Sequence, residues 1–321
     1  MFWENRMSAV MNALSGGQHE LPVVVGPPRR DTDIVAWVKA ERETLGRHLH
    51  TIGGVLFRGW RINGLAHFER LMTEGLGREP LEYRNQSTPR SEVRGRIYSS
   101  TEYPADQHIE LHNENAYTSA WAERILFYCV KASDTGGETP IADSRRVLQR
   151  IPDAVRARFE QHGVMYVRNY DGLDLPWQTV FQTTDRESVV AQCVAAGIQW
   201  EWLGGDRLRT REVAQATLAH PITSEPVWFN QAHLFHVSAL HPTVRAALAG
   251  SMDERDYPRN AYFGDGSPIS DSDLAQIRAA YAAETIAAPW QVGDILLLDN
   301  VLVAHGRRPF TGARKIVVGM V

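Results

Sequence analysis

A chain of 321 residues, 43% hydrophobic and 22% charged, can bury a full core, and one elaborated domain suits it better than two equal halves. Its net charge of -4 offers no basic footprint for nucleic-acid phosphates, and no stretch approaches the ~20 apolar residues that span a bilayer, so neither partner is predicted. The opening MFWENRMSAVMNALSGGQHE lacks the apolar core of a secretory signal, and Cys129 and Cys193 form no CxxC pair, which together predict a cytoplasmic protein with two reduced, buried thiols.

In chain order, apolar spacing predicts a helix over about 31–49 (Ile34, Trp37, Val38, Leu45, Leu49), the strand GGVLFRGW, and a helix over 65–76 (Phe68, Leu71, Met72). This is an α/β elaboration covering about 1–95. From residue 95 strands dominate: ERILFYCVKA, GVMYVRNY, EPVWFNQAHLF, GDILLLDN and KIVVGMV are short, β-branched or aromatic, and punctuated by Gly, Asp and Pro. Helices are expected at 144–161, behind a cap at Ser144, and within a helical insertion at about 180–285, as segments 186–196 and 271–284. So many short strands predict a closed or sandwiched sheet with helices outside it, and no repeat or linker divides the chain.

The chemistry concentrates in IELHNENAY. If this segment is extended, alternation places His112 and Glu114 on one face, where they can share one ion. A third ligand must come from elsewhere, and GDILLLDNVLVAHGRRPF offers His305 just after an apolar strand, at the start of a loop. Two imidazoles and a carboxylate suit Fe(II), because they occupy one face of an octahedron and leave three positions open. The residues alone also fit a solvated strand with a structural histidine, or a zinc hydrolase that activates water on the same ligands.

The motifs SSTEYP, IELHNENAY, GGETPIADSR, VWFNQAHLFH and GDILLLDNVLVAHGRRPFTGARK lie in order across some two-thirds of the chain. Together they resemble the taurine dioxygenase and clavaminate synthase-like family, most nearly its branch of syringomycin-type aspartyl hydroxylases. The resemblance implies a mainly β fold with flanking helices around a double-stranded β-helix, or jelly roll. It also implies Fe(II) held by His112, Glu114 and His305, with 2-oxoglutarate as co-substrate and O2 as oxidant. The distal carboxylate of the oxo acid would pair with Arg314, whose planar fork suits a carboxylate, assisted by the Thr139 hydroxyl.

The same resemblance places Glu102, Asn115, Arg168, Asn230 and His233 as candidates facing the substrate, although an ion pair, a turn cap and a core histidine would account for them equally. An acid and a base in one pocket suit an amino-acid zwitterion, free or tethered to a peptidyl carrier protein. Taurine-type members carry a second arginine four residues beyond the co-substrate arginine to grip a sulfonate; that position here is Val318, which argues against a sulfonate. Glu114 likewise argues against halogenation, since halogenating relatives replace the carboxylate by a small residue to admit the halide. Hydroxylation, desaturation and epoxidation share this centre, and a non-catalytic jelly-roll binding protein would keep the scaffold without the ligand set.

Overall fold

The computed structural model describes residues 11–13, 21–82, 90–100, 103–170 and 172–321. Its largest sheet has eight strands, ordered Met11–Ala13, Val23–Val25, Gly54–Phe57, Ile295–Asp299, Arg124–Lys131, Lys315–Met320, Ile97–Ser99 and Glu92–Arg94. Neighbours run antiparallel except Val23–Val25 beside Gly54–Phe57. The central strands read as continuous apolar runs because both of their faces are covered. Along Arg124–Lys131, Leu126 and Tyr128 pack under the N-terminal helices, while Ile125, Phe127 and Cys129 turn to the opposite side.

That opposite side meets a second sheet of three strands, in the order Ile109–His112, Val303–Arg307 and Ile141–Asp143. Ile141 and Val303 close on Phe127, Leu296 and Val318 in one buried cluster, so the two sheets form the jelly-roll core that the motifs imply. A separate antiparallel sheet of Gln199–Trp202, Leu208–Ala214, Val164–Tyr170 and Arg259–Phe263 stands beside it. The region expected as a helical insertion therefore contributes strands as well as helices.

Helices 186–196 and 271–284 form as expected, the first capped by Asp185 and the second by Ser270. Three other expectations are corrected. The helix expected at 31–49 is two, Ile34–Ala40 and Arg42–Ile52, meeting at Glu41. The helix expected at 144–161 breaks into Ser144–Arg150 and Asp153–His162, because Pro152 lacks an N–H and holds Ile151 extended at φ -70° and ψ 127°. Its cap is Asp143, which accepts from the Arg145 N–H, rather than Ser144. Finally, EPVWFNQAHLF is a strand only over Pro226–Trp228 and then turns into the short helix Ala232–Phe235. Among the described residues no helix is long and apolar enough to cross a membrane.

Candidate metal centre and co-substrate cradle

The strand carrying His112 ends at that residue, so Glu114 sits in the following turn and not on an extended segment as the sequence suggests. The turn is held from within the core. Asn113 donates to the Asn300 carbonyl at 2.7 Å, and the Asn300 side chain accepts from the Glu114 N–H at 2.8 Å and donates back to the Glu114 carbonyl at 3.0 Å. Asn115 then takes φ +57°, a left-handed conformation that asparagine tolerates better than most residues, and its carbonyl accepts from the Thr118 N–H. His305 is likewise not a loop residue. It lies inside Val303–Arg307 and pairs directly with His112 across the sheet. Gly306 permits this close pairing, since a Cβ there would stand 2.5 Å from the Ile109 carbonyl.

These elements bring one nitrogen from each histidine and one Glu114 oxygen within 4.8 Å of one another. The Glu114 carboxylate lies 3.9 Å from His112 Nε2 and 3.4 Å from His305 Nε2. His112 Nδ1 donates to the Glu110 carbonyl at 2.8 Å, which fixes the tautomer with the Nε2 lone pair facing Glu114. Burial, reinforced by the neighbouring His305, lowers the His112 pKa to about 4, so the ring is neutral and ready to ligate near pH 7. Burial alone would push the Glu114 carboxyl up, but Arg90, 2.8 Å away, and the two imidazoles hold it ionised, well below the usual carboxylate range. Two imidazoles, that of His112 neutral and oriented, with one ionised carboxylate are the donor set that a divalent iron takes on one octahedral face.

The metal centre opens on a pocket lined by His112, His305, Phe127, Thr139, Arg314 and Val318 among others. Arg314 projects from the loop before the last strand. Its Nε donates to the Gly137 carbonyl at 2.9 Å and its Nη1 to Ser100 Oγ at 3.2 Å. Gly137 has to be glycine: φ is +72°, and a Cβ would lie 3.0 Å from the Arg314 side chain. Burial, with Arg307 nearby, lowers the Arg314 pKa to about 10, which still leaves a full positive charge at neutral pH.

Thr139 receives the Trp290 indole N–H at 3.3 Å, which occupies a lone pair and leaves its own O–H to be donated elsewhere. No local pattern marks Trp290. Trp290→Phe should raise the 2-oxoglutarate KM about two- to tenfold with metal content unchanged, the size of one ordinary hydrogen bond. A titration of succinate formation against 2-oxoglutarate checks this, and an unchanged KM would separate Trp290 from the cradle.

The substrate candidates divide. Glu102 lies outside the described residues. Asn230 is fully buried and spent on the backbone, donating to the Ala216 carbonyl and accepting from the Ala232 N–H. His233 is a core histidine whose Nε2 meets the Leu111 carbonyl at 2.9 Å and whose ring packs on Tyr281, so it braces the His112 strand from behind. Neither stands among the residues lining the metal cavity. Asn115 is explained by its turn. Arg168 is buried, not in the metal cavity but in a separate one lined also by Tyr117 and Thr118. Arg307 and Asp299 order loops: Arg307 donates to the carbonyls of Tyr103, Pro104 and Gln107, and Asp299 caps Val301 and Leu302 while accepting from His220.

The family model of the taurine catabolism dioxygenase TauD, TfdA family, matches residues 19–321. The dapdiamide synthesis protein DdaC of Enterobacter agglomerans is 44% identical over 270 residues, covering 84% of this chain and 82% of that protein. A clavaminate synthase-like protein of Arabidopsis thaliana is 32% identical over 327 residues, covering 93% of each. Among solved structures, asparagine oxygenase in complex with Fe(II), 3-hydroxyasparagine and succinate shares the fold with a TM-score of 0.51 at 16% identity, over 92% of this chain and 86% of that one. Matched over nearly its whole length, the chain belongs to the TauD/TfdA family of dioxygenases and is an oxidoreductase of the iron- and 2-oxoglutarate-dependent kind.

Proposed function

We propose that this chain, acting as one oxygenase domain in the cytoplasm, hydroxylates an unactivated C–H bond of an amino acid or amino-acyl unit, free or on a peptidyl carrier protein, in natural-product assembly. The observation that carries this reading is the pocket in which His112, His305, Thr139 and Arg314 converge, with Glu114 beside them. In it His112, Glu114 and His305 hold the iron, and Arg314 with Thr139 holds the distal carboxylate of 2-oxoglutarate. When bound, iron and oxo acid together supply the oxidant from O2, with succinate and CO2 as co-products.

The protein's own contribution is placement. Arg314 fixes the co-substrate by charge and fork geometry, and Thr139 adds a hydroxyl donor aligned by Trp290. Phe127, whose ring stands 5.0 Å from that of His305, walls the centre from water. The amino-acid reading draws support from the synthesis protein and the asparagine oxygenase that the chain is similar to, and from Val318, an apolar wall where a sulfonate anchor would stand.

Its test is to supply free amino acids and their carrier-loaded thioesters under oxygen, follow succinate, and look for a product heavier by one oxygen atom. Turnover coupled to an amino acid is expected. Robust turnover with only a sulfonate, a fatty acid or a nucleobase would refute the substrate class and leave the oxygenase class standing.

A further inference from the structure

The pocket that holds the metal ligands does not end the space between the two sheets of the jelly roll. Paired residues cross the large sheet in one row, Leu56, Leu296, Phe127, Val318 and Tyr98, all on the face that meets the ligand sheet. The metal pocket lies over Phe127 and Val318 of that row, and a second pocket lies over Leu56 and Leu296. Thr139 lines both, so the two pockets meet at its side chain. Beyond it stand Ile141, Ile286, Pro289 and Trp290, which make the second pocket apolar. Arg58 also lines it, but its guanidinium is committed to Asp294 at 2.6 Å and to the Pro289 carbonyl at 2.9 Å.

The partition is pinned from two directions. The Pro140 carbonyl accepts from the Gly306 N–H at 2.9 Å, and Ile141 exchanges both backbone hydrogen bonds with Ile286, each at 2.8 Å. Thr139 is thereby fixed between the His305 strand and the segment 286–290. Trp290 returns from that segment to the partition, its indole N–H donating to Thr139 Oγ1 at 3.3 Å. The backbone on either side of Trp290 is clamped in turn: Arg58 holds the Pro289 carbonyl, and Asp294 accepts from the Gln291 N–H at 2.8 Å. A wall braced in this way resists a bound chain that presses on it. Arg314 lines the metal pocket and not the second one, so the cation for the distal carboxylate stands on the metal side.

We propose that the Thr139–Trp290 pair is the end wall that limits the 2-oxo acid to five carbons, with the apolar pocket behind it as the space a longer chain would need. This rests on the oxygenase reading above and specifies its co-substrate. An oxo diacid one methylene longer keeps both the metal and Arg314 as partners only if its chain bows, and the wall denies it that room. A pocket discriminates against one extra methylene by about 10–200-fold. The space behind the wall suits a methylene and offers a displaced carboxylate nothing, since Arg58 is already paired. Cutting the wall therefore lengthens the pocket while Arg314 and the metal ligands stay in place.

The experiment is anaerobic titration of the Fe(II)-loaded protein with 2-oxoglutarate and with 2-oxoadipate, following the visible band that chelation produces, so that no substrate is needed. Both acids chelate through the same 2-oxo carboxylate, and the ratio of their Kd values is the quantity read. The wild-type protein should favour 2-oxoglutarate by about 10–200-fold, and Trp290→Ala should cut that ratio by about tenfold or more. Trp290→Phe, which keeps a ring in place and removes the N–H, should weaken 2-oxoglutarate and leave the ratio close to the wild-type value. Thr139→Ser keeps the hydroxyl and removes only a methyl from the wall; it should lower the ratio too, and it serves if Trp290→Ala does not fold. Equal binding of the two acids by the wild type, or an unchanged ratio in the wall-cutting variants, would overturn the proposal. Absence of the band with 2-oxoglutarate itself would overturn the oxygenase reading, and this proposal with it.

Discussion

Arg314→Ala should raise the 2-oxoglutarate requirement by about two to three orders of magnitude while metal content stays unchanged. The guanidinium is buried, keeps its charge, and is already aimed by the Gly137 carbonyl and Ser100. A carboxylate that loses such a partner inside a cavity forfeits about 3–5 kcal/mol, and each 1.4 kcal/mol is a factor of ten. Arg314→Lys should recover only part of this, because an ammonium replaces the fork by a point charge. The KM for 2-oxoglutarate and the iron content after desalting are the paired measurements. Equal loss of both would make Arg314 a structural residue that braces Gly137.

The second large effect is on the metal. Glu114→Ala should abolish coupled turnover and weaken Fe(II) binding by more than about a hundredfold, since even orienting partners outside the ligand set are worth ten- to a hundredfold. His305→Ala should do the same, whereas His108→Ala, at an exposed position in the same segment, should retain iron. Because burial holds the His112 ring neutral down to about pH 4, proton competition at that ligand should not weaken iron retention between about pH 8 and pH 6. A steep loss across that interval would trace to a group other than His112. With Glu114 in place the wild-type protein should also give no halogenated product in chloride, which mass spectrometry of the reaction would reveal.

Much of this architecture was legible because local pattern and burial agree. The apolar runs around Leu126, Leu297 and Val317 read as strands, and in the structure they are strands covered on both faces. Helices 186–196 and 271–284 were legible from their apolar spacing. His112, Glu114 and His305 could be named from motif order, but the reason they converge could not. Alternation was the wrong argument for Glu114, whose position is set by Asn300 from 186 residues away in sequence.

Asn230 and His233 looked functional because polar residues in an apolar segment draw the eye, yet each satisfies a backbone group in the core. Trp290 went unseen for the converse reason. Trp290 matters through one hydrogen bond to Thr139, a contact across 151 positions that no local pattern encodes.

The central claim is that one buried site holds iron and a 2-oxo acid together, and the most direct measurement is the visible absorption of the anaerobic protein. Adding Fe(II) and 2-oxoglutarate should produce the weak charge-transfer band of the chelated oxo acid. The band should be absent without Fe(II), lost in Glu114→Ala, and restored in Arg314→Ala only at far higher 2-oxoglutarate. A protein that prefers zinc and gives no oxo-acid band in any buffer would contradict the account.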